Sequence, residues 1–178
     1  MPCVSLYLKT SRHAISCCIV DVETTGTSSW SGIVELAAVA LNERGQTLGT
    51  YTSFAYPEVL DERCDRALAY NHITREMLEG APPIADVVEE FSRWFHNYSV
   101  TEVWSFNRPF DQGMLEKAGL YLPWKGCIMR LCREKMPRRP KDPSLATAAA
   151  HYGVMHRPTH RALDDAKTAA ELFCRLHR

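Results

Sequence analysis

The run Cys17-Cys18-Ile19-Val20-Asp21-Val22-Glu23 constrains this chain more than any other stretch. It is mostly apolar and rich in β-branched residues, and Thr24-Thr25-Gly26 turns the chain at its end, so it reads as a strand buried in a sheet. Two carboxylates interrupt it. Side chains alternate faces along a strand, so Asp21 and Glu23 share one face, about 6 to 7 Å apart. Two like charges side by side in a buried strand are costly unless a cation or another partner neutralises them. A divalent metal is the simplest such partner; a solvated strand end is the alternative that this stretch alone leaves open.

The remaining sequence limits the setting of that strand. With 178 residues, 46% of them apolar and 24% charged, the chain suits one globular domain, expected to span 1–178 with its catalytic core at about 15–176. No apolar run approaches the roughly 18 residues of a membrane span. Lys9, Arg12 and His13, placed after a short mixed segment, make a poor signal peptide. The seven cysteines are odd in number and form no Cys-x-x-Cys pair, which argues against a disulfide framework or zinc site. A cytoplasmic protein with reduced thiols is expected.

The net charge of zero hides an asymmetry. Residues 1–104 hold seven Lys/Arg against fourteen Asp/Glu, whereas residues 105–178 hold fourteen against seven. The densest basic part is Lys125, Arg130, Arg133, Lys135, Arg138, Arg139 and Lys141, opposed by Glu134. Such a segment is either a phosphate-binding surface or a solvated helix face with a polar loop, and composition leaves both open.

Periodicity predicts a second strand over Ile33–Leu41, a turn at Asn42–Gln46 and a third strand over Thr47–Tyr56. Glu35 interrupts the second strand, either to position a site or to form a buried ion pair or hydrogen bond. Pro57–Ala69 reads as irregular. A short helix over Arg75–Leu78 and a longer one carrying Ile84, Val87, Val88, Phe91 and Phe95 follow. Thr101–Phe106 reads as a fourth strand, with a helix after Asn107-Arg108-Pro109 running to about Ala118. A short fifth strand at Cys127–Met129 precedes a helix over Arg130–Met136, and Pro137–Pro143 reads as a basic loop. The last two helices are expected over Ser144–Tyr152 and Arg161–Leu176, the latter capped by Thr159 or His160. A strand meander followed by β-α units implies an α/β three-layer domain.

Two further segments carry chemistry. Asn107-Arg108-Pro109-Phe110-Asp111 lies where a strand gives way to a helix, so Asp111 can face Asp21 across the crevice at the strand ends. In His160-Arg161-Ala162-Leu163-Asp164-Asp165, residues five apart would be about 140° apart on one helix. For His160 to lean over whatever Asp165 binds, it must stand in the loop before the helix.

Asp-x-Glu-Thr-Thr-Gly, Asn-x-x-x-Asp and His-x-x-x-x-Asp, in this order over Ile19 to about Cys174, resemble the three motifs of the DEDDh family of 3′-to-5′ exonucleases. Gly32-Ile33-Val34-Glu35-Leu36-Ala37, Ile73-Thr74, Cys127-Ile128-Met129-Arg130-Leu131 and His160-Arg161-Ala162-Leu163 are similar to its exodeoxyribonuclease and proofreading members. The resemblance implies a ribonuclease-H-like fold with a five-stranded mixed sheet flanked by helices. It implies two Mg²⁺ or Mn²⁺ ions held by Asp21, Glu23, Asp111 and Asp165, with Asp21 bridging, and His160 as general base. Trp30 and Phe106 are expected either to stack on the terminal base or to be packed, and Thr24, Thr25, Asn107, Arg130 and Arg133 are further candidate substrate contacts. Two departures stand out: Phe106 where many relatives carry His, and Asn71 where they carry His, with His72 displaced by one.

The expected activity is release of 5′-nucleotides from the 3′ end of a single-stranded or frayed nucleic acid, DNA favoured over RNA. An RNA-trimming exoribonuclease is the alternative, and a catalytically silent binding module the rival class. No membrane partner is expected, and a homodimer is left open.

Overall fold

β1 (Ile15–Thr24) occupies the centre of a five-stranded sheet whose order is β3-β2-β1-β4-β5. The computed structural model describes residues 15–98, 100–136 and 142–177. β2 (Ile33–Asn42) runs antiparallel to β1, and β3 (Thr47–Phe54) antiparallel to β2. The Asn42 side chain accepts the amides of Arg44 and Gln46, and Gly45 takes the left-handed conformation (φ 74°) that closes this hairpin. β4 (Val103–Ser105) and β5 (Trp124–Cys127) extend the sheet in parallel, so β1, β4 and β5 end on the same edge. This is the expected ribonuclease-H-like mixed sheet.

Both faces of β1 are covered, which explains its apolar run. Cys17 and Ile19 pack with Val39 and Leu41 beneath α7 (Ala162–Leu176), where Ala166, Ala169 and Ala170 let the helix lie close to the sheet. Cys18, Val20 and Val22 pack with Leu36 and Ala38 against Val87 and Phe91 of α3 (Ile84–Asn97). Asp21 and Glu23 continue the Cys17/Ile19 row, on the side of α7.

Sequence and structure part in three places. The stretch read as irregular contains a 3₁₀ turn, Glu62–Cys64, and a helix, α1 (Asp65–Tyr70). Its signal is the pair Cys64 and Leu68, four apart, both buried in a small core with Val34, Ile73 and Leu78; charged neighbours hide that pair. α2 (Arg75–Leu78) follows, capped by Thr74.

The fifth strand lies earlier than expected, and its helix α5 (Ile128–Lys135) starts earlier too, because Ile128 and Cys132 bury together one turn apart. At Gly126 the Trp104 ring occupies the space a Cβ would need. α4 (Arg108–Lys117) and α6 (Leu145–His151, capped by Ser144) are close to expectation.

Finally, neither Thr159 nor His160 caps α7, which begins after Arg161 without a capping side chain of its own. Of the basic loop expected at Pro137–Pro143, residues 137–141 lie outside the described residues. Among the described residues no helix is long and apolar enough to cross a membrane, and no disulfide joins the six cysteines there.

Candidate active site

The sheet register brings three carboxylates onto one face: Glu23 pairs directly with Glu35 of β2, and Asp21 with Ala37. Like charges opposite one another repel, and α7 adds another. Asp21, Glu23 and Asp165 each place a carboxylate oxygen within 4.8 Å of the other two. Asp111, in the first turn of α4 where β4 ends, is buried and completes the surroundings of Asp21.

The electrostatics record this crowding. Burial first, then the charges of Asp111, Glu23 and Asp165, hold the Asp21 carboxyl well above the usual range. Burial, followed by Asp165 and Glu35, pushes Glu23 up to about 8, with Arg161 opposing. Asp111 rises to about 7 through burial, against the neighbouring Ser105 hydroxyl and backbone groups. Asp165 is raised by burial and held back by the Thr159 amide. Groups placed so that each resists the others' ionisation could hold a cation, and an all-oxygen donor set suits a hard divalent ion. The residues present therefore fit a divalent metal.

His160 stands in the loop before α7, as its spacing from Asp165 demands, with a left-handed backbone (φ 57°). The preceding residue fastens this turn: the Thr159 amide donates to Asp165 Oδ1 at 2.9 Å and its hydroxyl to Asp164 Oδ2 at 2.8 Å. On the other side, the Arg161 guanidinium donates twice to the buried Glu35 carboxylate, which also accepts the Ala162 amide at 3.0 Å. Glu35 is thus both the buried ion-pair partner and the cap of α7, supplied from another element. Arg161 also lies over the Phe54 ring, 5.1 Å from its centroid.

Beside the carboxylates opens a cavity of about 600 Å³ lined by Glu23, Thr24, Trp30, Arg63, Tyr70 and Phe110, among others. Trp30 lines it half-buried, with the Arg63 guanidinium over its ring at 4.6 Å. Thr24 and Thr25 are buried, and their hydroxyls shape the turn: Thr24 donates to the Gly26 carbonyl and Thr25 accepts the Gly32 amide. Lys117 ties that loop to α4 by donating to the carbonyls of Ser29 and Ser31. Asn71 donates to the Thr24 carbonyl at 3.0 Å, fixing the end of α1 against the end of β1.

Phe106 does not face the cavity. Its ring is 8% exposed and packs in the core beneath α7, so stacking on a base is excluded in this arrangement. Asn107 is exposed, and its carbonyl accepts the amides of Phe110 and Asp111 at the start of α4. Arg130 and Arg133 line a separate groove of about 530 Å³ with Arg108, at the sheet edge on which β1, β4 and β5 end. Their charges are partly matched, by Glu134 at 3.9 Å and Asp142 at 3.0 Å. Sequence reasoning missed the 3₁₀ turn and α1, and with them Arg63 and Tyr70, whose only signal was the Cys64/Leu68 spacing.

Comparison with known protein families matches residues 18–173 to the RNase_T exonuclease family. The chain belongs to this exonuclease family. It is 30% identical over 165 residues to the PolC-type DNA polymerase III of Staphylococcus haemolyticus (strain JCSC1435), covering 89% of this chain and 11% of that protein. The chain thus spans about a tenth of the length of the curated relatives it matches. Among solved structures, exonuclease X in complex with 5′ overhanging duplex DNA is 28% identical, with a TM-score of 0.71 and 90% of each chain covered. The nuclease domain of 3′hExo, a DEDDh family member bound to rAMP, shares the fold at 20% identity, with a TM-score of 0.71 over 90% of each chain.

Proposed function

We propose that this chain is a 3′-to-5′ exodeoxyribonuclease that releases 5′-nucleoside monophosphates from single-stranded or frayed 3′ ends. The observation that carries the reading is the carboxylate cluster of Asp21, Glu23 and Asp165, backed by Asp111, beside a cavity of nucleotide size with His160 in the adjoining loop. The likeness to the DNA-bound exonuclease X structure and to a DNA polymerase supports DNA over RNA.

Asp21, Glu23, Asp111 and Asp165 would hold two Mg²⁺ or Mn²⁺ ions. Asp21, whose carboxyl feels the charges of the other three, would contribute to both, Glu23 and Asp165 to the one on the side of the attacking water, and Asp111 to the one on the leaving side. Bound there, the pair of ions supplies Lewis acidity to the attacking and leaving oxygens of the phosphodiester. The chain's own residues do the rest. His160 accepts the proton of the attacking water at an imidazole nitrogen. Trp30, with Thr24 and Thr25 shaping the loop beside it, receives the terminal nucleotide, a stacking contact worth about 1 to 3 kcal/mol. Asn107, Arg130 and Arg133 guide the preceding phosphates along the sheet edge.

One assay tests this reading: 3′-labelled and 5′-labelled single-stranded DNA and RNA, incubated with Mg²⁺, Mn²⁺ or chelator. Stepwise shortening of 5′-labelled DNA from its 3′ end, with release of labelled mononucleotide from the 3′-labelled strand, is expected only with metal. Faster cleavage of RNA would overturn the substrate assignment, and endonucleolytic products would overturn the polarity.

A further inference from the structure

We propose that Tyr70 is a positioning residue for His160, its ring docking the imidazole at the mouth of the carboxylate cluster. The proposal rests on the reading of His160 as the base and names the part of the chain that aims it. The two rings lie 4.2 Å apart, centroid to centroid, tilted by 42°, in direct contact.

The surroundings show why such a contact is needed. The backbone on either side of His160 is pinned, by the bond from the Thr159 amide to Asp165 and by the Glu35 grip on Arg161 and Ala162. What stays free is rotation of the imidazole about its own side-chain bonds. Among the described residues no hydrogen bond holds that ring, and Tyr70 supplies the constraint.

Tyr70 is built for that task and for little else in the fold. Its side chain is 63% exposed, so it contributes little to core packing. Its backbone is nevertheless fixed, because the next residue, Asn71, is buried and donates to the Thr24 carbonyl beside Glu23. Leu68, two residues earlier, anchors the same helix in the small core under β2. The platform on which His160 rests is therefore tied to the strand end that carries the carboxylates. A short chain of contacts, Glu23–Thr24 to Asn71–Tyr70 to His160, thus links the strand end to the imidazole.

The test uses the full chain with Tyr70→Phe and Tyr70→Leu. In metal-free protein, the imidazole proton signals of His160, assigned by their loss in His160→Gln, report the ring current of Tyr70. They are expected to move in Tyr70→Leu and to stay in Tyr70→Phe. With metal and a single-stranded oligonucleotide, Tyr70→Leu should lower kcat roughly 3- to 10-fold with KM nearly unchanged, and Tyr70→Phe should restore kcat.

Unmoved His160 signals in Tyr70→Leu would overturn the docking. A rise in KM at constant kcat would overturn it as well, making the ring a nucleotide contact. If Tyr70→Phe is as slow as Tyr70→Leu, the hydroxyl rather than the ring is the active part and the proposal fails. An inactive wild type would defeat the exonuclease reading instead, and the spectroscopic arm would still judge the docking.

Discussion

Glu35 and Arg161, 126 positions apart in the chain, meet in a two-pronged ion pair with N–O distances of 3.0 and 2.9 Å. The pair joins the second strand to the start of the last helix, and that helix delivers Asp165 and, through the preceding loop, His160. Glu35→Gln keeps the shape and removes the charge, leaving a half-buried guanidinium without its counter-ion. A loss of about 1 to 3 kcal/mol in stability is expected, together with lower kcat. Urea denaturation and steady-state kinetics measure the two; a variant as stable and as fast as wild type would remove Glu35 from both roles.

The crowded carboxylates predict an unusual response to neutralisation. Asp21→Asn should abolish metal-dependent hydrolysis yet raise the melting temperature of the metal-free chain, because it relieves repulsion at the most crowded position. Mg²⁺ or Mn²⁺ should raise the melting temperature of wild type by linkage, and that of the variant much less. Thermal unfolding with and without chelator decides; equal metal stabilisation of both proteins would contradict the assigned site.

The same cluster sets a pH dependence for the metal-free protein. Glu23 is pushed up to about 8 and Asp111 to about 7, above the values near 4 expected in the unfolded chain. Between these limits the folded chain holds more protons than the unfolded one, so stability falls as pH rises. The slope is about 1.4 kcal/mol per pH unit for each extra proton held. Denaturation in chelator should therefore show greatest resistance, as far as this cluster governs it, near the acid end of that window. Saturating metal should flatten the slope, and a chelated protein that gains stability between about pH 5 and about pH 8 would contradict the coupling.

His160→Gln is expected to lower kcat by about 10²- to 10⁴-fold, the usual contribution of a general base, with little change in KM. Steady-state kinetics on both proteins supply the check: a variant as fast as wild type would remove His160 from the role of base.

Two aromatic residues that look alike in sequence should behave differently. Trp30→Ala removes a wall of the cavity and should raise KM for single strands by roughly 5- to 150-fold, the equivalent of about 1 to 3 kcal/mol. Phe106→Ala removes a buried ring and should cost about 3 to 5 kcal/mol of stability, with KM unchanged in the fraction that folds. Parallel unfolding curves and kinetics on both variants separate the cases.

These contrasts show what a sequence of this kind makes legible. Asp21 and Glu23 were readable because alternation along a strand is a local rule, and Asp165 and His160 because helical periodicity is another. Where Phe106 points was not readable, since that depends on where β4 meets the core beneath α7. The helix ending in Tyr70 was hidden because it is short and buries Leu68 alone, with Cys64 just before it as the other position that marks it. The Glu35–Arg161 pair joins segments whose proximity exists only once β2 and α7 have packed, so no local pattern announces it.

The position of β1 has a consequence for dividing the molecule. On one side it pairs with β2, from its own half of the chain, and on the other with β4, through Cys18–Val103 and Ile19–Trp104. A break between α3 and β4 would thus leave Asp21 and Glu23 on one fragment and Asp111, His160 and Asp165 on the other. Neither fragment would hold a working centre. Cleavage of an oligonucleotide would report that the two pieces had found each other, making the chain a ready-made split reporter whose signal arises only at the seam.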